Sequence, residues 1–155
     1  LHQATLGATL VVAMLTPATG TASATVPASV RRAAPHRVVV LADGTRILLR
    51  PLRRQDREVY LRGFEHLGER SRYLRFFSPK NQLSEAELRY FLDVDHHDHE
   101  AIAAVDLAGD EGVGVARFIR DTEDPTVAEV SIAVVDDHQG RGLGAVLLQA
   151  LARRA

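Results

Sequence analysis

The chain has 155 residues, enough for one domain around a single core. A net charge of −1 argues against a nucleic-acid binder driven by bulk charge. There is no cysteine, which excludes disulfides, a cysteine nucleophile and thiolate metal sites. Of the 19 basic residues only Lys80 is lysine, a bias of genomic composition and not a functional signal.

Residues 1–36 differ from the rest. They are rich in Ala, Thr, Ser, Val and Pro and hold no acidic residue. The apolar run Ala8–Leu15, followed by Ala22-Ser23-Ala24, resembles the core and cleavage site of a signal peptide. No Lys or Arg precedes that run, however, and it is too short to span a bilayer. The expectation is a disordered, low-complexity leader over 1–36, a folded domain over 37–155, a cytoplasmic location and no membrane contact.

The folded part opens with Val38-Val39-Val40-Leu41 and Arg46-Ile47-Leu48-Leu49-Arg50 around Asp43-Gly44, a hairpin with its turn signal. From Gln55 to Leu67 the residues Val59, Tyr60, Phe64 and Leu67 fall at helical spacing, with Asp56 and Glu58 in the first turn and Gly68 as a stop. Arg70–Phe77 is basic and aromatic. It reads either as a short helix burying Tyr73, Leu74 and Phe77 or as a segment bringing Arg72 or Arg75 to a ligand. Ser84 with Glu87 forms a capping box at the start of a helix running toward Val94. The run Asp95-His96-His97-Asp98-His99-Glu100 offers metal-ligand types without a partner cluster elsewhere. A solvated loop and no metal centre are therefore expected. Three strands follow, over 99–105, 113–119 and 127–135, the first two joined by Ala108–Gly112 and the last two by Asp121–Pro125.

The last strand alternates Glu129 and Ser131 against Val130, Ile132 and Val134. It runs into Asp136-Asp137-His138-Gln139-Gly140-Arg141-Gly142-Leu143-Gly144, and then Leu143, Val146, Leu147, Ala150 and Leu151 recur at helical spacing. Glycines let a backbone approach a ligand, and free amides at a helix N-terminus suit phosphate or pyrophosphate. A Walker loop needs Gly-Lys-Ser/Thr, which is absent. A dinucleotide fingerprint is met formally by Gly140, Gly142 and Ala145. Against it, four polar residues separate the strand from the first glycine, and the ribose-binding acid about 20 residues on would fall beyond Ala155.

Gln139-Gly140-Arg141-Gly142-Leu143-Gly144 resembles the Q/R-x-x-G-x-G/A signature of the GNAT superfamily of acyl-CoA-dependent N-acyltransferases, and Ala128–Val134 resembles that family's fourth strand. The segments Ser71–Phe77 and Leu83–Leu88 are similar to bacterial protein lysine acetyltransferases. The resemblance covers 37–155. It implies an α+β fold with a mixed, mainly antiparallel sheet flanked by helices, in the order strand, two helices, three antiparallel strands, glycine loop and helix. It also implies closing strands and a general acid beyond Ala155, so the chain is expected to be a C-terminally truncated domain.

The same resemblance implies acetyl-CoA as co-substrate and a primary amine, such as a protein lysine, as acceptor. Glu129 is then the general base. The amides of Val134 and Val135 face the thioester carbonyl, and those of Gly140, Arg141, Gly142, Leu143 and Gly144 hold the pyrophosphate, with Gln139 ordering the loop. Arg141 either adds charge at a phosphate or points to solvent. The alternative is an acyl-CoA-binding module or a decayed, inactive domain.

Overall fold

The computed structural model describes residues 36–76 and 78–155. The expected leader, apart from His36, and the expected burial of Phe77 lie outside the described residues. Five strands form one sheet in the order β1-β2-β3-β4-β5, each antiparallel to its neighbour. They are β1 (Arg37–Val40), β2 (Arg46–Pro51), β3 (His99–Asp106), β4 (Glu111–Arg120) and β5 (Ala128–Val134). Gly44, with φ +88°, makes the β1–β2 turn where only glycine sits without strain. Between β2 and β3 lie three helices: α1 (Arg57–Glu65), α2 (Glu69–Phe76) and α3 (Glu85–Leu92). Helix α4 (Leu143–Ala152) follows β5.

The sheet separates two apolar layers because strand side chains alternate faces. On one face Leu143, Leu147 and Leu151 of α4 are fully buried against Ile47, Ile102, Phe118, Val130, Ile132 and Val134. Burial of each such leucine is worth about 1.5–3 kcal/mol. The other face packs Leu52, Leu92, Ala101 and Ala103 with Tyr60 and Val115, and Phe64, Phe76 and Phe91 meet edge to face above it. Ser84 caps α3 as its sequence requires: its hydroxyl accepts from the Glu87 amide, and the Glu87 carboxylate accepts from Ser84 N at 2.8 Å.

Helix α2 departs from its expected packing. Tyr73 is 52% exposed and Leu74 only half-buried, whereas Ser71 is buried. The helix is turned so that Ser71 reaches a carboxylate in the loop after β5, which holds Tyr73 outward. The Asp95–Glu100 run is only partly a solvated loop. Asp95 accepts from the amides of His97, Asp98 and His99, but Glu100 is buried and accepts from Arg154 at 2.8 Å and from the His96 ring at 2.7 Å. That pair ties the end of α4 to the start of β3. Among the described residues, no three His, Asp or Glu side chains are gathered for a metal.

Helix α1 crosses β4 glycine against glycine. A Cβ at Gly112 would lie 2.8 Å from Val59 Cγ1 and 3.2 Å from the Val59 carbonyl oxygen; one at Gly63 would lie 3.0 Å from Gly112 O. Overfilling a packed contact of this kind costs about 1–3 kcal/mol. Gly112→Ala is therefore expected to lower the unfolding free energy by about that amount in urea titration; an unchanged midpoint would show that α1 shifts freely.

Candidate functional site

The loop after β5 is fixed at four points by side chains that are distant in sequence. Asp136 Oδ1 accepts from the Ser71 hydroxyl at 2.8 Å and from the Gly68 amide at 3.1 Å. A Cβ at Gly68 would meet Asp136 Oδ2, so the carboxylate would have to shift. Gln139 Nε2 donates to Val134 O at 2.9 Å, with Ser71 Oγ and Asp136 Oδ1 each at 3.3 Å. His138 Nε2 donates to Asp106 Oδ2 at 3.0 Å. Arg141, read in the sequence as a phosphate contact or a solvent-facing residue, pairs with Asp43 at 3.1 Å and closes the loop onto the β1–β2 turn.

Between these anchors the backbone is open. Gly140 and Gly142 have φ of +72° and +85°, and neither a Cβ nor any neighbour fills the space beside them. Gly142 is the N-cap of α4 and supplies no side chain to cap it. The first helical bond is Val146 N to Gly142 O, so the amides of Leu143, Gly144 and Ala145 have no intrahelical acceptor. Among the described residues, the amides of Gly140, Arg141 and Gly142 have none either. Six successive donors at the positive end of a helix dipole form an anion cradle.

The strand contributes one more donor. Val135 N bonds to Val113 O at 3.0 Å, so Val135 is committed to the ladder. By antiparallel alternation the Gly114–Val134 pair is then a non-hydrogen-bonded one. The Val134 amide accordingly points away from β4, toward the edge of β5 that has no strand partner among the described residues. Of the two amides expected to face a carbonyl, Val134 has the open direction. Glu129 is exposed, five residues earlier on β5, with its side chain on the α1–α3 face.

That face also holds a cavity of about 60 Å³ under α1 and α2, lined by Val59, Phe64, Leu67, Val115, Ala133 and Val135 among others. The sequence pointed to the loop, Glu129 and the strand end. It gave no sign of Asp136 or His138 as anchors, because their partners lie 65 and 32 residues away. Ser71 fell inside a segment read for its arginines and aromatics.

A model of the GNAT acetyltransferase family matches residues 66–155. The chain belongs to the GNAT acetyltransferase family. A relative from Pseudomonas aeruginosa, named an acetyltransferase, is 34% identical over 120 residues, covering 75% of this chain and 63% of its own. The acetyltransferase Pat of Mycolicibacterium smegmatis is 35% identical over 113 residues, 73% of this chain and 34% of Pat. The GNAT domain of S. lividans PAT superimposes with a TM-score of 0.71 at 32% identity, covering 77% of this chain and 70% of that one. This GNAT domain thus spans less than two thirds of the length of either curated relative. None of its described helices is long and apolar enough to cross a membrane.

The His138–Asp106 anchor carries a pH signature. The hydrogen bond from His138, then that from the Ala108 amide, holds Asp106 below its ordinary value of 3.8. A carboxylate depressed on folding contributes stability above that ordinary value, and the contribution is lost as pH falls through the depressed one. The wild type is expected to lose more stability than Asp106→Asn between pH 7 and pH 3 in parallel urea titrations. Equal losses would mean that the anchor is not formed in solution.

Proposed function

We propose that this domain transfers an acetyl group from acetyl-CoA to a primary amine by direct attack on the thioester. Similarity to Pat supports a protein lysine as the acceptor. The observation that carries the reading is the row of six unbonded amides from Gly140 to Ala145, placed just past the outward amide of Val134. A pyrophosphate on the row sets the acyl-CoA alongside β5, with its thioester carbonyl at the Val134 amide. Gln139 keeps the loop in register by holding Val134 O, and the Arg141–Asp43 pair holds the loop against the β1–β2 turn.

The reaction needs a neutral amine. Its nitrogen attacks the carbonyl carbon, the C–N bond forms, the C–S bond breaks, and the CoA thiolate leaves and takes up a proton. The Val134 amide stabilises the negative charge that builds on the carbonyl oxygen. Glu129 receives the proton of the amine. Val134 lies five residue steps beyond Glu129 along β5, roughly 16 Å at 3.3 Å per residue. The proton therefore travels through water and not by direct contact.

That separation also favours a second reading, an acyl-CoA-binding module without turnover. Glu129→Gln distinguishes the two. If Glu129 is the base, the variant loses acyl transfer by about 10²–10⁴-fold and keeps its affinity for acetyl-CoA. Unchanged transfer would remove Glu129 from the mechanism, and a wild type that binds acetyl-CoA without transferring from it would establish the second reading.

A further inference from the structure

The cavity under α1 and α2 carries a charge that its walls do not balance. Its charged lining residues are Arg50, Asp56 and Arg75. Asp56 is already satisfied: Arg50 donates to both its oxygens, at 2.7 and 2.8 Å, and the Arg53 amide donates at 2.7 Å. Arg75 has neither an acidic partner nor a hydrogen bond among the described residues. Its guanidinium is instead stacked on Phe76 and Phe91, 5.3 and 5.1 Å from the ring centroids, so it is held in place while its N–H groups stay available.

A second uncompensated cation stands beside it. Arg117 of β4 is 2% exposed and lies over the same Phe91 ring at 4.9 Å. Its contacts are neutral: the Phe91 carbonyl at 3.3 Å, His99 Nε2 at 2.9 Å and the Tyr60 hydroxyl at 3.4 Å. Its Nε has no partner. Burial, and then the charge of Arg117, hold His99 below its ordinary value, which suits a neutral imidazole accepting from the guanidinium. Two arginines without an acid, one of them lining a cavity whose only other charges are the paired Arg50 and Asp56, leave a net positive field where a neutral acetyl group or a free amine would gain nothing from it.

We infer that Arg75 is a carboxylate-recognition point of the transfer site: a ligand entering this cavity carries a carboxylate that pairs with the Arg75 guanidinium. The inference rests on the acyl-transfer reading for its placement, because the cavity that Arg75 lines reaches Ala133 and Val135, the residues flanking Val134. An arginine fork suits a carboxylate bidentately. The carboxylate can belong to the acyl group, as in a short dicarboxylic acyl-CoA, or to a residue next to the acceptor amine.

The test titrates the full chain with succinate, following the arginine Nε–Hε resonances by NMR, with succinamide as the neutral control. The expected result is a saturable shift at Arg75 with succinate and none with succinamide, lost in Arg75→Gln. No shift, or an equal one with succinamide, would overturn the inference without reference to any variant. Two transfer arms then identify the source. Succinyl-CoA is set against acetyl-CoA on a lysine peptide free of acidic residues, and acetyl-CoA is used on peptides with Glu or Gln beside the lysine. One arm should show a preference for the carboxylate of about tenfold or more, the worth of a single charge-assisted pair, abolished in Arg75→Gln and partly restored in Arg75→Lys. Acetyl transfer without preference in either arm sinks the inference and leaves the proposed function standing. A succinate shift in a chain that transfers nothing sinks the function and keeps the site.

Discussion

The carboxylate of Asp136 decides how the two halves of the domain meet. One oxygen takes the Ser71 hydroxyl and the Gly68 amide and lies within reach of Gln139, joining the helical layer to the loop after β5. A side chain on Gly68 would push that carboxylate aside. Once Asp136 is placed, Gln139 falls against Val134 O and the chain reaches the start of α4 with its glycines in the left-handed region. Removing a partner from such a network costs the desolvation of every group left behind, about 1–3 kcal/mol for each.

The second determinant is alternation in β5. Val130, Ile132 and Val134 send their side chains into the core beneath α4, and ladder register turns their amides away from β4. The same residues therefore anchor the strand and present donors along its open edge. Leu143, Leu147 and Leu151 then hold α4 on that core, so the helix dipole points its positive end at the loop. The cradle is rigid because buried leucines fix the helix, while no side chain fills it.

Local features were legible in the sequence. Asp43-Gly44 gave the hairpin turn, Ser84 and Glu87 gave the α3 cap, and the β5–loop–α4 passage could be read residue by residue, because each of these signals lies within a few positions of its partner. What escaped was long-range and polar. Nothing near Asp136 announces Ser71, nothing near Glu100 announces Arg154, and no pattern shows that Arg117 is buried without an acid. One of the two readings of Arg70–Phe77 buried Tyr73, which is 52% exposed. Ser71 instead faces inward, bonded to Asp136 and Gln139.

The account stands or falls on the loop as a pyrophosphate cradle. Isothermal titration of the chain with acetyl-CoA, beside a Gly142→Asp/Gly144→Asp double variant checked for folding by circular dichroism, tests this most directly. Stoichiometric binding by the wild type and its loss in the folded variant are predicted, because two carboxylates would stand at the proposed phosphate positions. A folded wild type that binds no acetyl-CoA, or a variant that binds it equally well, would contradict the account.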